Sequence, residues 1–326
     1  MRAIVIRERG GPEVLELCTL PDPEVPHGHV RVRVRAAGLN RADLLQRAGF
    51  YPAPPGAPRD IPGLEYAGVV DAIGPGASRY SVGDRVFGLV SGGAHAELLV
   101  AHEREIAPTP PALTDREAAA APEAFVTAAD ALLLRGRLSP GDRVLVHAAG
   151  SGVGTAAVQI ARALGSFVVG TSRTPDKIDR CLALGMSAGV VPEKGSFAGP
   201  VMEATGGRGV DVVIDLVGGD HLRETIACCA PRARVVLVGL TAGASATLPL
   251  AAVLQKRIEI IGTVLRSRPL EEKIEAAHLL ERTVVPWLAE GRVKVVIDRV
   301  YPLAEAAAAH TYLAENTSFG KVILEL

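Results

Sequence analysis

The segment spanning residues 143–177 constrains the fold most. Val144-Leu145-Val146 has the composition of a short buried strand, and Ala149-Gly150-Ser151-Gly152-Val153-Gly154 follows it as a tight turn. Beyond the turn, Val153, Ala156, Ala157, Ile160, Ala161 and Leu164 recur at three- and four-residue spacing. This predicts a helix with one apolar face, stopped at Gly165. Small residues at such a turn let an anion approach the backbone, and the free N–H groups and dipole of the helix start favour its charge. Gly154 predicts close contact of helix and strand. The hexamer carries Ala149 and Ser151 where a strict G-x-G-x-x-G pattern has its first two glycines, so its weight rests on its setting. A second strand, Phe167–Thr171, follows at the right distance and runs into Ser172-Arg173-Thr174-Pro175-Asp176-Lys177.

A nicotinamide dinucleotide is the ligand that this unit predicts, with Gly152, Val153 and Gly154 at its pyrophosphate. An NAD-selecting site places an acid after the second strand to hold the ribose 2′-hydroxyl. Ser172, Arg173 and Lys177 instead offer a hydroxyl and two cations to a 2′-phosphate, so NADPH is the expected cofactor. Arg173 and Lys177 have a plainer alternative, solvation of the next helix start.

The texture of the chain predicts two domains. Before about Ala118, short strands at 3–6, 30–36, 66–73, 85–89 and 96–100 are punctuated by Gly and Pro, with one helical insert at 41–47 and a proline-rich loop at 49–56. After it, Ala/Leu-rich helical stretches alternate with Val/Ile runs at 143–147, 167–171, 189–191, 210–215, 234–238 and 259–263. That is the pattern of an α/β doubly wound parallel sheet. A long helix at 270–290, a strand at Val300, a helix at 304–314 and a last strand at 321–326 are expected to return to the first domain.

The 326 residues carry 35 basic and 36 acidic side chains, interspersed and summing to a net charge of −1. No basic tract suits a nucleic-acid or membrane-surface partner, and neither a leader segment nor a membrane-spanning run is evident, so the expectation is a soluble, cytoplasmic protein. Cys18, Cys181, Cys228 and Cys229 lack metal-type or disulfide spacing and read as core residues, the last two in a helix-like stretch. Asp211 and Asp215 read as turn-capping groups at strand ends and receive no catalytic role.

Ala37-Gly38-Leu39-Asn40-Arg41-Ala42-Asp43, Pro62-Gly63-Leu64-Glu65, Gly83-Asp84-Arg85-Val86 and Ala148 through Thr155 resemble the zinc-independent quinone oxidoreductases of the medium-chain dehydrogenase/reductase superfamily, through Phe319-Gly320-Lys321-Val322. Asn40 through Leu44, Gln46-Arg47, Pro54-Pro55-Gly56, Ser151 through Ala157 and Leu265-Arg266-Ser267-Arg268 are similar to the stress-inducible NADPH quinone oxidoreductase branch.

The resemblance implies a β-rich GroES-like catalytic domain at 1–122, completed by 265–326, and a Rossmann NADPH-binding domain at 123–264. It also implies a homodimer pairing through the 258–263 edge strand. Asn40 and Leu64 match the positions where zinc-dependent relatives carry Cys and His ligands, and no cysteine lies between Cys18 and Cys181, so no zinc is expected. Without a Lewis acid, quinone reduction by NADPH is the expected activity, since the product is aromatic and water can protonate it. Two other functions fit the same sequence: reduction of enals or enones, for which no α-carbon proton donor stands out, and a redox-sensing or RNA-binding adaptor without catalysis.

The resemblance places Asn40 and Tyr51 beside the nicotinamide, with Tyr51 either covering the acceptor or anchoring its loop. Ser151 either caps its helix or touches cofactor or substrate. Thr127, Gly239, Leu240, Val264 and Leu265 are expected near the cofactor, the last two with a core role as the alternative. Lys321 is assigned to a phosphate, with a surface lysine as the alternative. Pro192 stands where the family often has a Tyr near the adenine.

Overall fold

The computed structural model describes residues 1–326 and divides into two compact units. One comprises Met1–Val126, Leu265–Gly291 and Val295–Leu326; the other comprises Thr127–Val264 and Arg292–Lys294.

In the first unit, β1 (Arg2–Ile6) and β2 (Leu15–Thr19) form an antiparallel pair. A larger sheet contains β3 (His29–Leu39), β4 (Glu65–Ile73), β5 (Arg85–Leu89), β6 (Leu98–His102) and β7 (Ile106–Pro108). The two-residue period of a strand explains β3: Val30, Val32 and Val34 are buried, while Arg31 and Arg33 point the other way and both pair with Asp71. Two strands escape the sequence pattern, β2 because none of its residues is fully buried and β7 because it has only three residues. The strand expected at 96–100 begins at Leu98, since Ala96 instead bridges Ala3.

In the second unit, β8 (Arg143–Val146), β9 (Phe167–Thr171), β10 (Ala188–Val190), β11 (Val210–Asp215), β12 (Cys229–Leu237) and β13 (Glu259–Gly262) form a parallel sheet in the order β10-β9-β8-β11-β12-β13. Leu145, Val169, Val213 and Val235 lie in its core with Ile226 and Phe197 from the covering segments. The two cysteines expected within one helix straddle a junction: the helix His221–Cys228 ends on Cys228, and β12 starts on Cys229. β12 then jumps register against β11, from Cys229 opposite Val210 to Arg234 opposite Val212.

The tail belongs to the first unit apart from Arg292–Lys294. Its helix is regular over Leu270–Leu279, widens over Leu280–Val284 and resumes over Val285–Ala289. Pro286 accounts for the widening, because it has no N–H to return to the preceding turn. β14 (Ile297–Pro302) and β15 (Lys321–Glu325) then extend the sheet, with β15 inserted between β14 and β3. No helix is long and apolar enough to cross a membrane.

Candidate active site and dinucleotide-binding turn

In the second unit, every strand of the sheet runs the same way, so the turns after β8, β9, β12 and β13 open on one edge. That edge carries Ser151, Ser172, Gly239, Leu240 and Val264. The strand order reverses beside β8, which is where doubly wound sheets bind ligands. Ala148 turns the chain with φ of 49°, and the helix Gly152–Ala163 begins after Ser151. Ser151 Oγ accepts the Gly154 N–H at 3.0 Å, so Ser151 is the cap of this helix. The cap leaves the N–H groups of Gly152 and Val153 without an intrahelical partner, which is the donor set an anion requires. A Cβ at Gly154 would lie 2.4 Å from the Ala148 carbonyl oxygen and 2.6 Å from that of Ala149, so only glycine lets the helix start this close to the turn.

Ser172 is buried after β9, with Arg173 exposed beside it and Lys177 half-buried in the first turn of the helix Pro175–Leu182. No carboxylate stands at Ser172, Arg173 or Thr174, and the hydroxyl-and-cation set there fits a phosphorylated ribose. After β12, Gly239 packs so near Leu216 that a Cβ would meet its carbonyl oxygen at 2.8 Å. Leu240 and Val264 are exposed apolar side chains on the same edge, and Thr127 is buried. Asp215 Oδ1 accepts the N–H groups of Val217 and Gly218, and Asp211 binds Arg143 through both carboxylate oxygens. Both aspartates hold the backbone or a partner strand.

Beneath the turn, His147 is fully buried between the hydroxyls of Thr171 and Thr225, each 2.9 Å away. Burial is the main cause that drives its pKa down to about 4.

The first unit contains a buried charged cluster. Lys321 is 4% exposed, and its ammonium donates to Leu39 O at 2.9 Å and Asn40 Oδ1 at 2.5 Å while lying 2.5 Å from Glu65 Oε1. Three donors meet three acceptors, so the lysine has none left for a phosphate. The expectation of a phosphate-binding Lys321 is therefore corrected: its place is at the head of β15, inside the sheet. Asn40 Nδ2 donates to the same Glu65 oxygen at 2.9 Å, which fixes the amide orientation, and Glu65 Oε2 accepts the Glu123 N–H at 2.8 Å. Asp43 completes the floor by accepting the N–H groups of Asn40 and Gly63.

Arg266 governs the loop that carries Tyr51. Its guanidinium donates to Tyr51 O at 3.1 Å, Ser91 O at 2.8 Å and Gln46 Oε1 at 2.6 Å, and stands 5.2 Å over the Tyr51 ring. Burial raises the Tyr51 pKa, with a further push from Glu123. The phenol is therefore neutral at physiological pH. Leu265 lines a cavity with Leu64, Val90, Val126, Leu280 and Glu123. Burial and then the Glu65 carboxylate raise the Glu123 pKa to about 7.

In the sequence Glu65 and Arg266 stand out only as family markers, and Glu123 belongs to no recognisable motif. An acid entering a Val/Ala strand, and another in an otherwise apolar alanine-rich stretch, were the available signals. No group of three or more His, Cys, Asp and Glu side chains is arranged to hold a metal ion. The position of Asn40 is occupied by an amide engaged with Lys321 and Glu65, and Leu64 has no donor atom.

Two family models match the chain: the alcohol dehydrogenase GroES-like domain over residues 26–111 and the zinc-binding dehydrogenase over residues 152–282. A quinone oxidoreductase of Rattus norvegicus is 34% identical over 330 residues, covering 100% of this chain and 98% of that protein. The crystal structure of an NAD-dependent alcohol dehydrogenase superposes with a TM-score of 0.90 at 35% identity, covering 100% of both chains. That of Escherichia coli quinone oxidoreductase complexed with NADPH superposes with a TM-score of 0.89 at 29% identity, again covering 100% of both. The chain belongs to the zeta-crystallin-like quinone oxidoreductases of the medium-chain dehydrogenase/reductase superfamily.

Proposed function

We propose that this protein is an NADPH-dependent quinone oxidoreductase that works without zinc. The observation that carries the reading is the Lys321–Asn40–Glu65 cluster, in which Asn40, the residue matching a zinc-ligand cysteine, is an amide bound to an ammonium and a carboxylate. NADPH supplies a hydride when bound. Gly152, Val153 and Gly154 receive its pyrophosphate at the helix start, and Ser172, Arg173 and Lys177 receive the 2′-phosphate. Thr127, Gly239, Leu240 and Val264 border the rest of the cofactor. Leu265, Tyr51 and Asn40 hold the acceptor flat and exclude water, which is most of what a quinone requires because its reduced form is aromatic.

Purified protein with NADPH and a panel of small ortho- and para-quinones tests the activity. Oxidation of NADPH that depends on the quinone supports it, and no turnover of any quinone overturns it. A second reading, reduction of enals or enones, gains from Glu123, because that reaction needs a proton at the α-carbon and the sequence offered no evident donor. An enone arm in the same panel separates the two.

The reading includes a homodimer. β13 ends the parallel sheet with one side unpaired, and Leu250 and Leu254, on the helix Leu250–Lys256 before it, are 71% and 79% exposed. An unpaired edge flanked by exposed leucines suits pairing with a second copy. A hydrodynamic mass near twice the 33.9 kDa of one chain is expected; a monomer at micromolar concentration would contradict it.

A further inference from the structure

Glu123 is half-buried, and its carboxyl accepts no hydrogen bond and forms no ion pair within the protein, although its backbone N–H is held by Glu65. The cavity that it lines is walled by Leu64, Val90, Val126, Leu265, Ala277 and Leu280. A carboxyl withdrawn from water ordinarily finds a partner, and one left without a partner is most stable when it keeps its proton. We propose, resting on the quinone reading, that Glu123 is a catalytic acid that protonates the carbonyl oxygen of a quinone that inserts that oxygen into this cavity, whose free volume of about 30 Å³ admits an oxygen atom and not the ring.

The step balances. The hydride and its two electrons come from NADPH, which becomes NADP⁺, and reduce the quinone. The O–H bond of Glu123 breaks as an O–H bond forms on the acceptor oxygen, and the Glu123 carboxylate regains a proton from water. The hydride itself supplies the second hydrogen of the hydroquinone: added to a ring carbon, it is released to solvent as a proton when the ring becomes aromatic, and one proton returns from solvent to the other oxygen.

The neighbouring groups are less suited to this task. Glu65 is committed to Lys321, Asn40 and the Glu123 N–H. Glu105 lines the same cavity, and burial raises its pKa, but the Lys273 cation opposes that rise. Tyr51 holds its proton above the ordinary phenol range. Around Glu123 itself, Glu65 and Asp43 raise its pKa while Lys321 and Arg266 lower it; Glu105, Lys273 and Arg268 complete the charged groups of the cavity wall. The balance leaves the acid near pH 7, where it both holds and releases a proton.

The test is kcat/KM for para-benzoquinone with NADPH, in H₂O and D₂O, across neutral pH, for the wild type and Glu123→Gln. The wild type is expected to lose activity as pH rises through about 7 and to show a solvent isotope effect. Glu123→Gln is expected to bind NADPH unchanged, to fall by about 10²-fold at the acid end and to lose both the pH dependence and the isotope effect. A Glu123→Gln enzyme within about twofold of wild type with the same pH profile would overturn the proposal. If that variant does not fold, the wild-type profile decides: activity that is flat through pH 7 overturns it. In those cases the quinone reading survives, whereas a wild type that turns over no quinone defeats both.

Discussion

Lys321 Nζ and Glu65 Oε1 lie 2.5 Å apart with both side chains almost wholly buried, joining the last strand of the chain to a strand from its first third. The pair also shares Asn40, which receives a hydrogen bond from one and gives a hydrogen bond to the other. An amide held at both ends presents one fixed orientation to whatever lies beside it. Burying these charges is costly, and the three-way bonding offsets that cost.

Removing one partner should therefore destabilise strongly. Lys321→Met leaves Glu65 charged and unpaired, and a loss of about 3–5 kcal/mol is expected from urea unfolding. The double variant Lys321→Met/Glu65→Gln should recover a large part of that loss, because it removes both charges. A Lys321→Met protein as stable as wild type would show that the pair contributes nothing.

Ser151 combines a measurable structural role with the proposed cofactor site. Ser151→Ala should cost about 1 kcal/mol of stability through the lost cap, and Ser151→Gly only a few tenths. Calorimetry reads both. If the serine also touches cofactor or quinone, kcat/KM falls alike in the two variants, out of proportion to stability.

His147 gives the dinucleotide unit an acid sensitivity. Its pKa in the folded protein is near 4, below the ordinary 6.5, so the fold favours the neutral imidazole. The stability it contributes is complete above about pH 6.5 and is lost progressively as pH falls toward 4, by about 3 kcal/mol. Melting temperature measured across that window should fall less steeply in His147→Gln. Parallel pH profiles for the two proteins would exclude His147 as the cause.

Cofactor choice is predicted to rest on Arg173 and Lys177. Replacing either with Ala should weaken NADPH by about tenfold, in line with the loss of a charged hydrogen bond, and leave NADH unchanged. Isothermal titration with both cofactors checks this. Equal weakening of NADPH and NADH would place the two side chains in a general electrostatic role.

The dinucleotide unit was legible in the sequence because its determinants are local. Strands buried on both faces read as Val and Ile runs, and the turn, cap and helix stripe all fall between Val144 and Leu164. The charged cluster was not, because its members come from opposite ends of the chain. Lys321 and Asn40 are 281 residues apart, and a lone lysine at the head of a strand looks like a surface residue until the strand is seen inserted beside β3. Arg266 was visible only as a motif letter, since its contacts with Tyr51, Ser91 and Gln46 depend on tertiary folding. β2 and β7 were missed for the opposite reason: one is incompletely buried and the other too short to show a period.

Steady-state oxidation of NADPH and of NADH, each with a panel of ortho- and para-quinones after exhaustive treatment with a zinc chelator, tests the central claim most directly. Quinone-dependent turnover that favours NADPH and survives chelation is the predicted result; no quinone turnover, or turnover abolished by the chelator and restored by zinc, would contradict it.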